Sequence, residues 1–509
     1  MESQNHLSYF ARIKDALTRH PDLRAIEDGQ IWYSWSMVDT IASQLDAVLT
    51  EAGLGTGSPV GLVARNRMPH IASLYGLLAT GRTTVMIYSA FTPAALAKEL
   101  EKLKLPAILA DSEDWTEETL TVCRTTGAIA LQPTKDPACP IKIVAEGNRA
   151  MRGKQREVTP GVAIEMLSSG TTGVPKRIPI SWRTLELTAE DAAINFRETG
   201  LGMGKDGQAS PLVQPAPLAN IGGLYAVVTA GIQGWPLALL DKFGVDQWLS
   251  AVKRVEPQVS WLAPAAISAI WDAGVSAGDL GSLVGLRTGS AALSPRLQDA
   301  FEDKYGLSIL LAYGATEFCG VVVLWTLADH AIYAKSKRGS AGRARPGVKL
   351  RVRDAESGAA LNAGEVGILD LRVDRIGGDW IATTDLASID SDGFLFLHGR
   401  ADDAINRGGF KIMPVPVIDA ISKHSAVLEA TVVGMKDDRL GEVPVAVLAL
   451  RDGYNLEDGE MKTFLRDQLL AYQIPVEFRI VHRLPRNPSL KVDREAVLAM
   501  FANAKLATS

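Results

Sequence analysis

The segment Val162 to Leu167 is apolar enough for a buried strand and runs straight into Ser168-Ser169-Gly170-Thr171-Thr172-Gly173-Val174-Pro175-Lys176-Arg177. A buried strand that ends in a loop of hydroxyls, glycines and a cation belongs at the ligand-binding edge of an open α/β sheet. Glycines let backbone N–H groups turn toward phosphate oxygens, and Lys176 adds a positive charge. That is the chemistry of holding a polyphosphate. The loop is not the Walker type, which closes on Gly-Lys-Ser/Thr after a four-residue gap; here the lysine follows a proline. A plain surface turn has the same composition, so the rest of the chain must decide.

At 509 residues the chain is too long for one core and calls for several domains or subdomains. Lys plus Arg total 53 against 58 Asp plus Glu, a net charge of -5, which gives no reason to expect a nucleic-acid partner. Met1 to Arg24 lacks the apolar core of a signal peptide. Cys123, Cys139 and Cys319 form no CxxC, so neither a disulfide frame nor a zinc cluster is supported, and the cytoplasm is the expected compartment. The uncharged stretch Gly207 to Leu240 is long enough for a membrane span. Pro211, Pro215, Pro217 and Pro236 break it, so it reads as strand, loop and helix beneath a pocket, with no span.

From Pro21 to Asp111 short apolar segments alternate with helical patterns such as Met37 to Ala52, the rhythm of βαβ units. Trp261-Leu262-Ala263-Pro264 and Ser308-Ile309-Leu310-Leu311 read as further strands, each after a helix. From about Gly339 to Arg400 the pattern alternates, as in Lys349 to Arg353, Val366 to Val373 and Phe394 to Leu397, and marks a β-rich subdomain. The tail from Asp402 interleaves strands (Ala430 to Gly434, Val443 to Leu450, Phe478 to Val481) with helices (Pro416 to Ser422, Leu456 to Tyr472). The expected architecture is a multi-subdomain α/β N-terminal domain over residues 1–401, with parallel sheets flanked by helices and the β-rich subdomain, followed by a small α+β domain over 402–509.

Four more segments join the glycine-rich loop: Tyr313-Gly314-Ala315-Thr316-Glu317, Trp380 to Asp385, Gly399 to Phe410 with Arg400, and Leu484 to Lys491. In this order and spacing, over nearly the whole chain, the set resembles the adenylate-forming superfamily of acyl-CoA synthetases, peptide-synthetase adenylation domains and firefly luciferase. The resemblance implies that Ser168, Ser169, Gly170, Gly173 and Lys176 wrap the β- and γ-phosphates of ATP, with Thr171 and Thr172 donating hydrogen bonds. It implies that Tyr313 and Gly314 face adenine, Thr316 touches the α-phosphate, Glu317 holds Mg²⁺, Asp385 takes the ribose diol and Arg400 assists. Lys491 would reach between the substrate carboxylate and the α-phosphate. The C-terminal domain would be mobile, hinged at Asp402, and after rotation Gly408, Gly409 and Phe410 would approach the pantetheine arm of coenzyme A.

The acyl pocket implied by the resemblance uses Ala219, Asn220, Gly223, Leu224, Gly289, Ser290, Ala291, Ala312 and Phe318 to Val321, a lining mostly apolar with one amide. It suits an aromatic, alicyclic or medium-chain acid. The chain departs from its relatives at Ala219-Asn220, where an aromatic gate is usual, and at Thr384, Leu490 and Pro416. The resulting expectation is an ATP- and Mg²⁺-dependent carboxylic acid–CoA ligase acting through an acyl-adenylate. One alternative is an acyl-AMP ligase that loads a carrier-protein thiol, because Lys491-Val492-Asp493-Arg494 resembles the ending of peptide-synthetase domains. Another is a non-catalytic nucleotide-binding protein that kept the fold. A homodimer is left open.

Overall fold

The computed structural model describes residues 9–147, 156–167, 176–198, 209–291, 293–451, 453–486 and 491–502. Strands that are apolar without alternation need cover on both faces. Pro59–Ala64, Thr83–Tyr88, Ala107–Leu109 and Val162–Leu167 are buried along their whole length. They form the parallel centre of a seven-stranded sheet. Its edge strands, Ile141–Ala145 and Arg177–Ser181, run antiparallel to their neighbours.

A second sheet of thirteen strands has two halves. Arg24–Asp28, Leu237–Leu239, Leu212–Gln214, Val259–Trp261, Gly285–Gly289 and Ser308–Ala315 pair in parallel. Beyond Ser308–Ala315 the pairing reverses, through Gly320–Leu324, Gly342–Ala344, Phe394–Arg400, Trp380–Ile389, Gly367–Val373 and Val348–Arg353. The β-rich stretch is therefore hydrogen-bonded onto the same sheet, with a core of its own around Val352, Leu369, Leu371 and Leu395. The strand expected to run to Pro264 stops at Trp261, because Pro264 opens a helix and holds Ala263 in extended backbone.

Helices fill the space between the two sheets. Met68–Ala79 is buried from Met68 through Leu78, as expected of a helix covered on all sides. Small residues let it approach its neighbours. A Cβ on Gly76 would lie 2.8 Å from the Ala42 Cα, and one on Gly231 would lie 2.5 Å from the Tyr75 ring. Tyr75 then donates to the Val227 carbonyl at 2.7 Å. The stretch Gly207 to Leu240 resolves, over its described part, into the strand Leu212–Gln214, the helix Ile221–Gln233 and the strand Leu237–Leu239. Among the described residues no helix is long and apolar enough to cross a membrane.

Residues beyond Asp402 build a five-stranded sheet of Phe410–Ile412, Ile405–Arg407, Gly441–Leu450, Val427–Asp437 and Glu477–Val481. Ala446 and Leu448 pack on one face, Val445 and Val447 on the other. The helix read as Leu456 to Tyr472 spans only Asp458–Arg466. Beyond it Leu469, Tyr472 and Ile474 still reach the same core, but from a turn in which Leu470 N–H donates to the Gln473 side chain at 3.0 Å.

One amide ties the two large sheets together at the entrance to helix Ile221–Gln233. Asn66 is 3% exposed, and its Nδ2 donates to the carbonyls of Ala216 at 2.9 Å and Leu240 at 3.0 Å. Its Oδ1 accepts from Leu218 N–H at 2.9 Å. Asn66→Asp sets a carboxylate oxygen against two carbonyls and is expected to cost on the order of 3 kcal/mol, more than Asn66→Ala, which merely leaves groups unmatched. Urea midpoints of the three proteins test this, and equal midpoints for the two variants would refute it.

Candidate active site

The site forms where the thirteen-stranded sheet changes from parallel to antiparallel, the position at which open α/β sheets leave a crevice. After the strand Ser308–Ala315 comes the short turn Thr316–Phe318, then Cys319 at φ 53° and Gly320 at φ 110°. The returning strand Gly320–Leu324 presses so closely that a Cβ on Gly314 would lie 2.2 Å from the Gly320 carbonyl oxygen. Gly314 is thus required by backbone contact, and the hairpin puts Tyr313, Thr316 and Glu317 at one sheet end.

Asp385 and Arg400 face one another directly across the antiparallel pair Trp380–Ile389 and Phe394–Arg400. The Tyr313 hydroxyl donates to Asp385 Oδ2. Burial, reinforced by the Asp385 charge, pushes the Tyr313 phenol far above its ordinary range, so it remains a donor. Arg400 grips Asp402 with two bonds, Nε to Oδ1 at 2.9 Å and Nη2 to Oδ2 at 3.0 Å. Its Nη2 also donates to Thr384 Oγ1 at 2.6 Å, so the residue that departs from the usual glycine gives the guanidinium an acceptor. Burial works against the Arg400 charge, but Asp402, Asp385 and Asp403 outweigh it and hold the group above its ordinary value.

Lys491 comes into this cluster from the far end of the chain. Burial lowers its ammonium below the ordinary lysine value and Arg400 lowers it further, while Glu317 and Asp385 act in the opposite sense. Tyr313, Glu317, Asp385, Arg400 and Lys491 thus share one electrostatic neighbourhood. Gly408 and Gly409 form the tip of a surface hairpin, both at positive φ, next to Phe410, which stacks on Tyr472 at 4.7 Å. Ser168, Ser169, Gly170, Thr171, Thr172 and Gly173 lie outside the described residues, and Lys176 is exposed at the start of the return strand.

Around the expected acyl pocket, Ala219 and Phe318 are buried and Asn220 caps the helix Ile221–Gln233 by its backbone. Gly223 and Gly289 are fixed by backbone packing. A Cβ on Gly223 would lie 2.2 Å from the Pro217 carbonyl oxygen, and one on Gly289 2.5 Å from that of Ala312. Ser290 is exposed at φ 69°. A cavity of about 10 Å³ lies against Leu224, Tyr225 and Cys319, room for about one water. Sequence reasoning missed the charged groups within electrostatic reach of Tyr225: Arg287, Arg345, Arg375 and Asp191. The one visible signal is Arg287 in the otherwise uncharged strand Gly285–Gly289.

Among the described residues no three His, Cys, Asp or Glu side chains gather to hold a metal. Mg²⁺ needs no such cage, because it keeps waters and binds through one or two carboxylates plus phosphate oxygens. The exposed carboxylate of Glu317 fits that donor set.

Comparison with known proteins adds the family context. The AMP-binding enzyme profile matches residues 13–375, and the AMP-binding enzyme C-terminal domain profile matches residues 419–491. The chain is similar to 4-coumarate–CoA ligase 3 of Oryza sativa subsp. japonica, at 26% identity over 93% of this chain and 89% of that one. It is similar to 2-succinylbenzoate–CoA ligase of Geobacillus kaustophilus at 26% identity over 93% of this chain and 94% of that one. In fold it resembles the o-succinylbenzoate coenzyme A synthetase MenE of Bacillus subtilis, solved with ATP and magnesium ion. The TM-score is 0.78 at 21% identity, covering 95% of this chain and 98% of that one.

The Tyr313–Asp385 bond is charge-assisted and shielded, so a double-mutant cycle of Tyr313→Phe and Asp385→Asn is expected to return a coupling of about 1–2 kcal/mol in unfolding free energy. A coupling near zero would show that the two groups do not support one another.

Proposed function

Since the chain belongs to the AMP-binding enzyme family, we propose that it is an ATP- and Mg²⁺-dependent carboxylic acid–CoA ligase that works through an acyl-adenylate. The observation that carries the reading is Lys491 set among Glu317, Asp385 and Arg400. Nothing else in the cluster is suited to carry positive charge from the C-terminal segment to the place where charge moves in such a reaction. The named activities of the 4-coumarate and 2-succinylbenzoate ligases support the reaction class.

In the first step a carboxylate oxygen attacks the α-phosphorus of ATP, a new P–O bond forms, and the bond to pyrophosphate breaks. A carboxylate is ionised at neutral pH, so no side-chain base is required. Lys491 offsets negative charge shared between the carboxylate and the α-phosphate, Thr316 donates to that phosphate, and the Ser168 to Lys176 loop holds the outer phosphates. Tyr313 meets adenine, and the two oxygens of Asp385 accept from the ribose diol. Mg²⁺, held by Glu317 and phosphate oxygens, would supply positive charge to the leaving group. In the second step the coenzyme A sulfur attacks the acyl carbon, AMP leaves, and the thiol proton passes to solvent. Rotation about Asp402 would exchange Lys491 for Gly408, Gly409 and Phe410 at the site. An aromatic or alicyclic acid agrees with the acids in the names of the 4-coumarate and 2-succinylbenzoate ligases.

Two measurements test this. Pyrophosphate release with ATP, Mg²⁺ and a panel of acids, each with and without coenzyme A, should yield acyl-CoA; release without thioester would instead favour a carrier-protein thiol, and silence a binding protein. Lys491→Ala should lower adenylate formation at least about 100-fold while leaving thioester formation from supplied acyl-AMP largely intact. The lysine is active as the ammonium, and burial lowers its pKa. Adenylation should therefore hold at neutral pH and fall as pH rises, with a midpoint below that of an ordinary lysine. Lys491→Arg should push that alkaline limb upward, and an unchanged limb would refute the assignment.

A further inference from the structure

Lys491 belongs to a short loop that is closed at its base. Arg486 and Val492 form an isolated antiparallel bridge, and Asp493 N–H donates to the Pro485 carbonyl at 2.9 Å. The chain then enters the helix Arg494–Ala502. Asp493 caps that helix by accepting from Ala496 N–H at 3.0 Å, and Val497 and Phe501 pack it onto the five-stranded sheet beside Val433, Val445 and Val447. The incoming arm is tied to the same sheet, because Arg486 donates to Glu429 at 2.6 Å. These contacts fix the base of the loop to its own sheet and leave its aim toward Glu317, Asp385 and Arg400 to be set by another.

Arg494 supplies that contact. It is the first residue of its helix, where a cation opposes the helix dipole, so its place does not serve the helix. Its Nη1 donates to Asp403 Oδ1. Asp403 closes the turn Ala401–Asp403, and the residue before it, Asp402, holds Arg400 by two bonds. Asp403 is itself within electrostatic reach of Arg400. Two neighbouring carboxylates of one turn therefore hold two arginines. One is Arg400 in the site; the other is Arg494, three residues past the lysine, a reach of at most about 10 Å.

On the reading that Lys491 serves the adenylation step of an acid–CoA ligase, we propose that Arg494 and Asp403 are positioning residues for that step. Their ion pair seats the Lys491 loop on the turn that holds Arg400, and so keeps the lysine in register with the arginine. The pair acts through Lys491 alone. Its side chains are 30% and 24% exposed, so it is partly screened, and its loss should change the seated population about 5-fold.

The test uses the full chain as wild type, Arg494→Met, Arg494→Lys, Asp403→Asn, and Asp403→Asn combined with Arg494→Met, each checked by melting temperature. With an acid that the wild type accepts, kcat/KM for pyrophosphate release should fall about 5-fold in Arg494→Met and in Asp403→Asn, less in Arg494→Lys, and no further in the double variant. Asp403→Asn changes almost no volume, which keeps the test decisive if Arg494→Met does not fold. Thioester formation from supplied acyl-AMP and coenzyme A should not fall in any of them. In a Lys491→Ala background, Arg494→Met should lower adenylation no further. A role in stability alone would lower both half-reactions together and would persist without the lysine. Either result overturns the inference, as does unchanged adenylation, and each leaves the ligase reading standing.

Limited trypsin digestion tests the seat without activity. Cleavage after Lys491 needs that side chain withdrawn, so it should run about 5-fold faster in Arg494→Met and Asp403→Asn than in the wild type. Equal cleavage rates overturn the inference. A wild type that releases no pyrophosphate with any acid overturns the ligase reading, and the trypsin comparison then decides by itself whether the ion pair seats Lys491.

Discussion

The close contact between Gly314 and the Gly320 carbonyl lets the chain reverse within a few residues, and that reversal turns a parallel sheet into an antiparallel one. Most of the site follows from it. Because Gly320–Leu324 returns alongside Ser308–Ala315, the later strands Gly342–Ala344, Phe394–Arg400 and Trp380–Ile389 can add to the same edge. The register across the last two then sets Asp385 opposite Arg400. A side chain at position 314 would push the hairpin apart and carry Tyr313 away from Asp385. Residues separated widely in sequence thus meet through ladder geometry.

The last contribution, Lys491, is not set by any ladder of that sheet. The polar contacts that hold the C-terminal segment against the rest include the Arg451–Asp272 pair and a 3.5 Å bond from Arg296 to the Lys423 carbonyl. Such partly exposed pairs contribute about 0–1 kcal/mol each. These pairs alone would not fix one orientation of the segment, which is what the proposed rotation about Asp402 would require. Burial makes the Lys491 ammonium costly to keep charged, and on the proposed reaction the phosphate charge of ATP would offset that cost.

Much of this was legible in the sequence because it rests on local chemistry. The unbroken apolar runs marked the buried parallel strands, and the alternation of Lys349 to Arg353 marked a half-exposed one. Tyr313, Glu317, Asp385, Arg400 and Lys491 were identifiable as a set by their motifs, although no residue spacing reveals that Tyr313 bonds Asp385. Helix and strand ends were less legible. Trp261 to Pro264 has the composition of a strand, and only the proline signals the start of the helix. The charged cluster around Tyr225 was not legible. Arg287, Arg345, Arg375 and Asp191 come from four separate segments with no shared motif, and each alone reads as an ordinary surface charge.

Thr384 and Asp402 show how the departures from the usual pattern fit together. Arg400 stands at the end of its strand, and Asp402, two residues on, is where the resemblance expects the hinge. Asp402 accepts from Nε and Nη2, one edge of the guanidinium, which ties the arginine to the residue where the resemblance expects the hinge. A change in backbone torsion at Asp402 would swing that carboxylate off, and a glycine at 384 would then leave Arg400 with little to hold its direction. The Thr384 hydroxyl keeps one bond through such a change. Its added bulk is exposed and displaces nothing buried, so the substitution gives the arginine a further acceptor without disturbing the packing beneath it.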